Sequence, residues 1–506
     1  MLVRQLDALL HGPADGLPRA LRDLFAALPG DGPAADGGAG DGGAADGGAG
    51  DGGAADAAAV LTGALPTLPA ARQPHVVLAL GLLADSEDPD VLAVLGKAVP
   101  EYLALLPGAG RPLSRALLHL LGHFPEHRAR IVEACRDAGV GPGEMSRLER
   151  ALADLDPAAP VIGRVWPAPL AWPLSARERA GHLEWARSLP AAAVAAAWHN
   201  DTRTLHAYAG ARALWAAESG RDAPATASEP TPPAAPAASV PRPAAGSGPA
   251  GWERFAGTLC CPHCRSPLAA EGGGARCTGC AAVYEVRRGR LDLGADSGPG
   301  EAMARVAAAH YESALRPAVL RLTGGNWDGA LTPDDEDRYL RASVRPAPGP
   351  IVDVGCGPGR WTAVLAAAFG QDRVIALDSS PAMLDRVGAL LPDVLRLRGD
   401  ALRLPFTDAS VGAVNCWNTL QALPDPALAI TEAARCLRPG GTFTLLTFRP
   451  SPDPVYAHFQ RRLTVATFDP GEVISWLTSA GLTVTDTTTP GTLLLLTATR
   501  NPDRAR

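Results

Sequence analysis

The sequence contains almost no lysine and few aromatic residues. Lys97 is the single lysine among 46 basic residues, and Phe, Trp and Tyr together make up 5% of the 506 positions. The scarcity of aromatic side chains leaves few surfaces on which nucleic-acid bases can stack. No run of about 18 uninterrupted apolar residues is present, so we expect no membrane span. The first residues carry charges within their apolar pattern and lack the apolar core of a signal peptide, so we expect a cytoplasmic protein.

An excess of positive charge is also absent. The formal net charge is −7. Residues 251–506 hold 26 arginines against 26 acidic residues, so the net negative charge belongs to residues 1–250. In the second half, Arg287, Arg288 and Arg290 form the one local basic cluster. A nucleic-acid-binding surface needs positive charge to neutralise phosphates, so the charge balance argues against a nucleic-acid partner.

Glycine (55) and proline (48) are abundant, and two segments concentrate them. Residues 29–56 are almost only Gly, Ala and Asp, with an aspartate at every fifth position from Asp31 to Asp56. A calcium-binding repeat is one interpretation, but the apolar position that such repeats bury is missing, so we predict a disordered insertion. Residues 220–252 are rich in Pro, Ala, Ser and Thr, which predicts a linker.

Apolar residues at helical spacing predict an α-helical domain over residues 1–219, interrupted by the insertion. The successive helices resemble HEAT-type pairs, which favours either a platform for a substrate or protein partner or a plain helical domain. His119, His123 and His127 follow one another at intervals of four. Pro125 interrupts this helix and no acidic or thiol ligand shares the spacing, so we interpret them as surface or core histidines.

Five of the nine cysteines fall within residues 260–280. Cys261-x2-Cys264 and Cys277-x2-Cys280 form two pairs separated by twelve residues. Two such pairs bring four thiolates together as a tetrahedral zinc site, and four sulfur ligands leave no open coordination position. We therefore predict a zinc ribbon over residues 253–295 with a structural Zn²⁺, the alternative being four reduced cysteines in a small β module.

A buried strand followed by a glycine-rich turn begins at Ile351. The segment Asp353-x-Gly355-x-Gly357-x-Gly359 leads into a helix near Arg360. Glycines at these positions let the backbone approach a ligand closely. A dinucleotide-binding loop would require a third glycine where Arg360 stands, so this turn does not fit that class.

The pattern instead resembles motif I of class I S-adenosylmethionine-dependent methyltransferases. Further matches follow in order: RVIALD ending in Asp378, SSPAML, LRGDALRLPF, SVGAVNCWNTLQALPDP and LRPGGTFTLLTF. In this family the carboxylate after the second strand receives the ribose hydroxyls, the methionine packs on adenine, and the third aspartate faces the adenine amino group. The positions that the resemblance assigns to S-adenosyl-L-methionine are Asp353, Gly355, Gly357, Gly359, Asp378, Met383, Asp400, Ala401 and Trp417.

The cysteine pairs and the helix at residues 307–322 resemble the zinc-ribbon group of ubiquinone/menaquinone-type methyltransferases, a plan shared with rRNA guanine-N1 methyltransferases. This resemblance implies an α/β Rossmann-like domain over residues 296–506 with a seven-stranded, mostly parallel sheet. One departure is Ala281, which stands where the group commonly has glycine after the last cysteine.

A methyltransferase mainly aligns its substrate with the sulfonium methyl, but a base accelerates transfer to a protonated nucleophile. Candidate bases or pocket residues are His310, Tyr311, Tyr456 and His458, although packing roles are the simpler interpretation of each. Asn418 and Trp417 are predicted pocket walls. We expect a small-molecule or biosynthetic peptide substrate, with a possible protein partner on the helical domain. The alternatives are an RNA base methyltransferase and a non-catalytic scaffold with the same fold.

Overall fold

A computed structural model of the chain describes residues 2–27, 53–156, 158, 160, 162, 175–220, 251–294, 301–316, 319, 331–462 and 466–501. Its α-helices are α1 (Leu2–His11), α2 (Leu17–Ala27), α3 (Gly53–Ala64), α4 (Gln73–Ala84), α5 (Pro89–Lys97), α6 (Val99–Ala104), α7 (Arg111–Leu121), α8 (Arg128–Asp137), α9 (Pro142–Ala151), α10 (Ala176–Arg187), α11 (Ala191–His199), α12 (Leu205–Glu218), α13 (Glu301–His310), α14 (Pro333–Ser343), α15 (Arg360–Phe369), α16 (Pro381–Leu390), α17 (Pro426–Cys436), α18 (Pro454–Arg462) and α19 (Pro470–Ser479).

The strands are β1 (Leu268–Glu271), β2 (Gly274–Cys277), β3 (Val283–Tyr284), β4 (Val286–Arg287), β5 (Arg290–Asp292), β6 (Ile351–Val354), β7 (Val374–Asp378), β8 (Leu395–Arg398), β9 (Val411–Trp417), β10 (Leu437–Phe448), β11 (Leu482–Thr488) and β12 (Leu493–Arg500). The chain divides into a helical unit, from residues 1–173, 189–230 and 451–464, and an α/β unit, from residues 174–188, 231–450 and 465–506.

The helical unit is built around α4. Every residue from His75 to Ala84 is buried, because α4 is apolar on all sides and neighbouring helices cover it. Helix α7 packs against both α4 and α12. A π-helical turn, Asn200–Thr204, joins α11 to α12. The predicted helical half is therefore confirmed, while the HEAT-type pairing stays a prediction.

Helix α18 belongs to the helical unit, although its sequence falls within the predicted 296–506 domain. Its aromatic side chains pack against α12, with ring centroids of Tyr208 and Tyr456 6.2 Å apart and those of Tyr208 and Phe459 5.6 Å apart. Aromatic edges and faces attract in such T-shaped contacts.

The α/β unit contains a nine-stranded sheet in the order β11-β12-β10-β9-β6-β7-β8-β5-β4. Strands β10, β9, β6, β7, β8 and β5 run parallel, and β12, β11 and β4 are antiparallel to their neighbours. Residues 296–506 supply seven of these strands, β6 to β12, and the sheet is larger than expected because β5 from the cysteine-containing segment pairs with β8 and brings β4 with it.

The parallel strands are buried on both faces, as parallel sheets covered by helices are. All four residues of β6 and all seven of β9 are buried. Val352 and Val354 belong to one apolar core cluster and Ile351 to another, which follows from the alternation of side chains along a strand. The loops at the carboxyl ends of β6, β7 and β9 thus stand on a rigid base.

Two predicted non-globular segments lie mostly outside the described residues: 28–52 of the insertion and 221–250 of the linker. The end of the insertion differs from the prediction, because α3 begins at Gly53 and holds Asp56 in its first turn. A carboxylate there interacts favourably with the helix N-terminus. Among the described helices, none combines the length and the apolar character needed to cross a bilayer.

Candidate active site

The glycine-rich loop joins β6 to α15. Gly355, Gly357 and Gly359 have φ values of 65°, 52° and 94°, a region that residues with a Cβ rarely adopt. A Cβ at Gly355 would stand 2.3 Å from Thr419 Cγ2, whereas a Cβ at Gly357 would meet no atom within 4 Å. The loop therefore needs glycine for its conformation, and it leaves open space beside Gly357.

Asp378, at the end of β7, ties two loops together. Its carboxylate accepts hydrogen bonds from the backbone N–H of Gly357 at 2.9 Å and from that of Ser380 at 2.8 Å. The N–H groups of Gly355 and Cys356 donate to the carbonyl of Leu377. An ionised carboxylate has about four acceptor sites, so one side chain can accept from several donors, and Asp378 thereby holds the two loops together.

Asp353 lies beneath the loop and is only 1% exposed. It accepts hydrogen bonds from Thr362 Oγ1 at 2.6 Å and Asn415 Nδ2 at 2.7 Å, and Thr444 Oγ1 in turn donates to Asn415 Oδ1. Burial raises the pKa of Asp353 to about 6, although both hydrogen bonds oppose the rise. These contacts connect β6, α15, β9 and β10. Asp353 therefore fixes the end of β6, from which the glycine-rich loop starts.

The remaining positions assigned to the cofactor follow the same edge of the sheet. Gly399 donates its backbone N–H to the carbonyl of Asp378, which brings the loop after β8 beside the end of β7. In that loop, Asp400 Oδ1 accepts from the N–H of Leu402, and Ala401 is buried. Met383, in the first turn of α16, is half-buried. Carboxyl ends of parallel strands are where open α/β sheets bind ligands.

A row of aromatic rings lies beside the glycine-rich loop. Trp361 is the second residue of α15, and its ring centroid is 6.4 Å from that of Trp417 at the end of β9. Tyr311 stands 6.2 Å from Trp361, and Tyr339 stands 5.6 Å from Trp417. The indole N–H groups of both tryptophans are buried and make no hydrogen bond within the described part of the chain. Asn418, just after Trp417, adopts the left-handed region with φ 56°.

Sequence reasoning missed Trp361, Arg316 and Glu336 at this site. Arg316 is buried, forms an ion pair with Glu336, and stacks over the Trp361 ring with its guanidinium carbon 5.2 Å from the centroid. Its Nε and Nη1, like Glu336 Oε2, make no hydrogen bond among the described residues. A single arginine outside any motif cannot be assigned to a site from sequence. Trp361 could have been predicted, because it lies two residues after the last glycine of the motif.

The candidate bases occupy different surroundings. His310 Nε2 lies 3.1 Å from Glu178 Oε1, and Glu178 completes the capping box of α10. Tyr311 begins a π-helical turn, and burial raises its pKa, so its hydroxyl stays protonated at neutral pH. His458 and Tyr456 lie in α18 of the helical unit, where burial lowers the pKa of His458 to about 4. Within the α/β unit, the structure therefore brings Tyr311 to the aromatic row.

The four predicted zinc ligands come together as two matching turns. In the first, Arg265 N–H donates to Cys261 O and Cys261 N–H to Ser266 O. In the second, Ala281 N–H donates to Cys277 O and Cys277 N–H to Ala282 O. The residue after each second cysteine is left-handed, with φ 62° at Arg265 and 58° at Ala281. Both pairs thus share one backbone geometry.

All four sulfur atoms lie within 4.8 Å of one another. Cys264 Sγ is 3.3 Å from Cys277 Sγ, and Cys261 Sγ is 3.7 Å from Cys280 Sγ. A tetrahedron with Zn–S bonds of about 2.3 Å places its sulfurs about 3.8 Å apart. Hydrogen bonds from Ser266 and from Cys277 lower the pKa of Cys264 to about 6. The donor set and its dimensions fit a tetrahedral thiolate site.

The cysteine-containing segment is part of the α/β core. Cys260 N–H donates to Pro405 O, and Trp252, Leu259 and Tyr284 belong to the apolar cluster on one face of the large sheet. The three arginines of the predicted basic cluster are paired with acids: Arg287 with Glu285, and Arg288 and Arg290 with Asp385. The cluster therefore presents little uncompensated positive charge.

A glycine-rich loop after β6, a carboxylate after β7 and a third loop after β8 define a class I methyltransferase type of cofactor site. A family profile described as "Methyltransferase domain" matches residues 351–441. The chain is 34% identical over 183 residues to a "Probable S-adenosylmethionine-dependent methyltransferase" of Mycolicibacterium smegmatis, which covers 34% of this chain and 68% of that protein. The chain belongs to the S-adenosylmethionine-dependent methyltransferase family.

Two further relatives are similar over shorter shares of their length. The chain is 30% identical over 223 residues to an uncharacterized chloroplastic methyltransferase of Arabidopsis thaliana, covering 38% of this chain and 61% of that protein. It is 36% identical over 146 residues to the malonyl-[acyl-carrier protein] O-methyltransferase of Dechloromonas aromatica, covering 28% of this chain and 54% of that protein. The chain thus spans less than two thirds of the length of both proteins.

Proposed function

We propose that the protein transfers the methyl group of S-adenosyl-L-methionine to a small-molecule or biosynthetic peptide substrate. The observation that carries this proposal is the loop geometry: three glycines with positive φ, open space at Gly357, and Asp378 bonded to the loop's backbone. When bound, the cofactor supplies an electrophilic methyl group. The chain's own residues would hold it and orient the acceptor.

The aromatic row is the proposed acceptor wall. Trp361, Trp417 and Tyr339 offer flat apolar surface, and Tyr311 offers a protonated hydroxyl that donates rather than abstracts a proton. Arg316, with guanidinium nitrogens left unpaired among the described residues, offers donors to a polar group of the acceptor. Such a mixture of aromatic surface and a few polar groups is typical of small-molecule sites. We keep His310 as a candidate base and positioning residue.

A small-molecule acceptor is also consistent with a relative's name. The Dechloromonas aromatica protein is named for O-methylation of malonyl-acyl-carrier protein. The paired state of Arg287, Arg288 and Arg290 gives no support to an RNA substrate. We therefore rank a small or peptidic acceptor above RNA.

We further propose that the four cysteines hold a structural Zn²⁺ that stabilises the edge of the large sheet. Four thiolates would leave the ion no position for substrate. Removing the ion with a chelator should lower the unfolding temperature of the α/β unit, because the cysteine segment shares its core and contributes β4 and β5. An unchanged unfolding temperature after complete zinc removal would contradict this role.

Formation of S-adenosylhomocysteine tests the proposed activity. The purified full-length chain is incubated with methyl-labelled cofactor and three acceptor panels: small carboxylic acids and phenols, acyl-carrier-linked acids and peptides, and rRNA fragments. We expect label transfer in the first or second panel, strongly reduced in Asp378→Asn at cofactor concentrations that do not saturate the variant and retained in the exposed control Asp372→Asn. Transfer confined to rRNA would overturn the proposed substrate class.

A further inference from the structure

A second group of ligating side chains lies in the helical unit. Asp85 directly follows α4, His119 lies in the last turn of α7, and His123 follows that helix. Their ligating atoms all lie within 4.8 Å of one another. His119 Nε2 is 3.2 Å from Asp85 Oδ2, and His123 Nε2 is 2.9 Å from Asp85 Oδ1. Both histidines are buried, and the Asp85 side chain is 10% exposed.

The two packed helices are shaped for this arrangement. His119 and His123 are four residues apart and therefore project on the same side of the chain. Gly81 lies in α4, and Asp85 follows it by four residues, directly after the end of that helix. A Cβ at Gly81 would stand 2.3 Å from His119 Nδ1. Glycine at position 81 thus creates the space for the imidazole, and the next turn of the same helix delivers the carboxylate to its Nε2.

The hydrogen bonds of His123 decide where its proton lies. His123 Nδ1 is 3.1 Å from the carbonyl oxygen of His119 and 3.3 Å from that of Leu120. Carbonyl oxygens only accept, so Nδ1 carries hydrogen and, in the neutral ring, Nε2 presents a lone pair toward Asp85 Oδ1. Two acceptors 2.9 Å apart need either a proton or a metal ion between them.

His119 gives an independent observation. Its ring is fully buried, and among the described residues its Nδ1 makes no hydrogen bond while its Nε2 has Asp85 Oδ2, at 3.2 Å, as its polar neighbour. Buried polar atoms are normally hydrogen-bonded, and leaving one unpaired destabilises the fold. A cation bound by Nε2 would satisfy it.

The spacing of the three groups suits a divalent transition metal. Bonds of about 2.0–2.2 Å at angles between 90° and 109° separate neighbouring ligand atoms by about 2.8–3.6 Å. The two measured separations, 2.9 and 3.2 Å, fall in that interval. Imidazole and carboxylate together are ligands of Zn²⁺ and related ions rather than of Ca²⁺ or Mg²⁺.

One side of the cluster opens to a cleft of about 540 Å³ within the helical unit. Asp85 lines it together with Glu87, His199, Arg203 and Arg462. His199 Nε2 lies 3.8 Å from Asp85 Oδ1, and the π-helical turn Asn200–Thr204 follows it directly. Such π-helical turns are frequent at functional sites. Three protein ligands leave coordination positions open toward this cleft.

We propose that Asp85, His119 and His123 bind a divalent transition-metal ion of the Zn²⁺ type, with open coordination positions toward the cleft. The site is separate from the four cysteines and does not depend on the proposed methyl transfer. The alternative is that protons, rather than a metal ion, lie between Asp85 and positively charged His119 and His123. Metal titration and imidazole spectra distinguish the two.

Cobalt(II) titration of the full-length chain tests the site, because Co²⁺ bound by thiolates absorbs strongly in the near ultraviolet and Co²⁺ bound by nitrogen and oxygen does not. The wild type should bind Co²⁺ with weak visible bands in addition to any thiolate spectrum. Asp85→Asn should lose those bands and weaken this binding at least about 100-fold, since even second-shell changes cost 10–100-fold. The control Glu87→Gln changes a carboxylate on the same cleft wall and should bind as the wild type does.

A measurement on the unmodified chain covers the case in which Asp85→Asn does not fold. In a ¹H–¹⁵N spectrum of the imidazoles, added Zn²⁺ should shift the Nε2 resonances of His119 and His123. The proposal is overturned if these nitrogens are protonated and insensitive to Zn²⁺, which would identify the shared proton. It is equally overturned if folded Asp85→Asn keeps the wild-type Co²⁺ bands and affinity.

Discussion

At the scale of single residues, the two aspartates of the loop region have different surroundings. Asp378 is half-buried and bonded to backbone N–H groups of two loops, whereas Asp353 is enclosed and bonded to Thr362 and Asn415. The family resemblance predicted both as cofactor-binding residues, Asp353 from the D-x-G-x-G-x-G segment and Asp378 from the end of RVIALD. The distinction could not be read from sequence, because Thr362 and Asn415 reach Asp353 from two separate elements and Thr444, on a third, holds Asn415.

Asp353 should make stability depend on pH. Its folded-state pKa is raised from 3.8 to about 6, so the folded chain holds the proton more tightly than the unfolded chain. The resulting stabilisation is complete below pH 3.8 and is lost as pH rises through about 6, by roughly 2–3 kcal/mol at about 1.4 kcal/mol per pKa unit. The Asp353→Asn variant, which stays neutral, should therefore gain stability relative to the wild type between pH 4 and 6 in urea unfolding.

The exposed Asp372→Asn substitution is the matched control, and its stability should follow the wild-type curve. Parallel pH profiles for Asp353→Asn and the wild type would show that Asp353 does not titrate in this range and would contradict the prediction.

At the scale of elements, the sequence indicated more of the α/β unit than of the helical unit. Strands β6 to β10 follow the predicted order because each is a buried apolar run beside a recognisable turn. The pairing of β5 with β8 was missed because strands of two or three residues have no measurable periodicity. The Asp85, His119 and His123 cluster was missed because its acid comes from another helix, outside the histidine spacing.

The turn after Cys280 gives a prediction about a single backbone position. Ala281 has φ 58°, a conformation that costs residues with a Cβ about 1–2 kcal/mol. Ala281→Gly should therefore raise the unfolding free energy of the chain by about 1 kcal/mol, measured as a higher denaturant midpoint. Ala270→Gly, on the exposed part of β1, should instead lower it by about 0.5–1 kcal/mol. A destabilising Ala281→Gly would contradict the assigned turn.

At the scale of the whole molecule, the charge distribution predicts weak binding of nucleic acid. Residues 251–506 carry equal numbers of arginines and acidic residues. The arginines of the local basic cluster, Arg287, Arg288 and Arg290, are ion-paired. An rRNA fragment should therefore bind no more tightly than non-specific ligands do, with a dissociation constant of about 10⁻⁴–10⁻⁶ M at physiological salt in fluorescence anisotropy. Binding far tighter than this, with a steep salt dependence, would contradict the neutral character of the second half.

Calorimetric titration of the full-length chain with S-adenosyl-L-methionine tests the central claim most directly. We predict one binding site per chain and a dissociation constant raised about 10–100-fold in Asp378→Asn, since a hydrogen bond to a charged group contributes about 1.5–3 kcal/mol. Asp372→Asn should bind as the wild type does. Absence of binding to the wild type, or equal affinity in a folded Asp378→Asn variant, would contradict the assignment of the cofactor to the loop between β6 and α15.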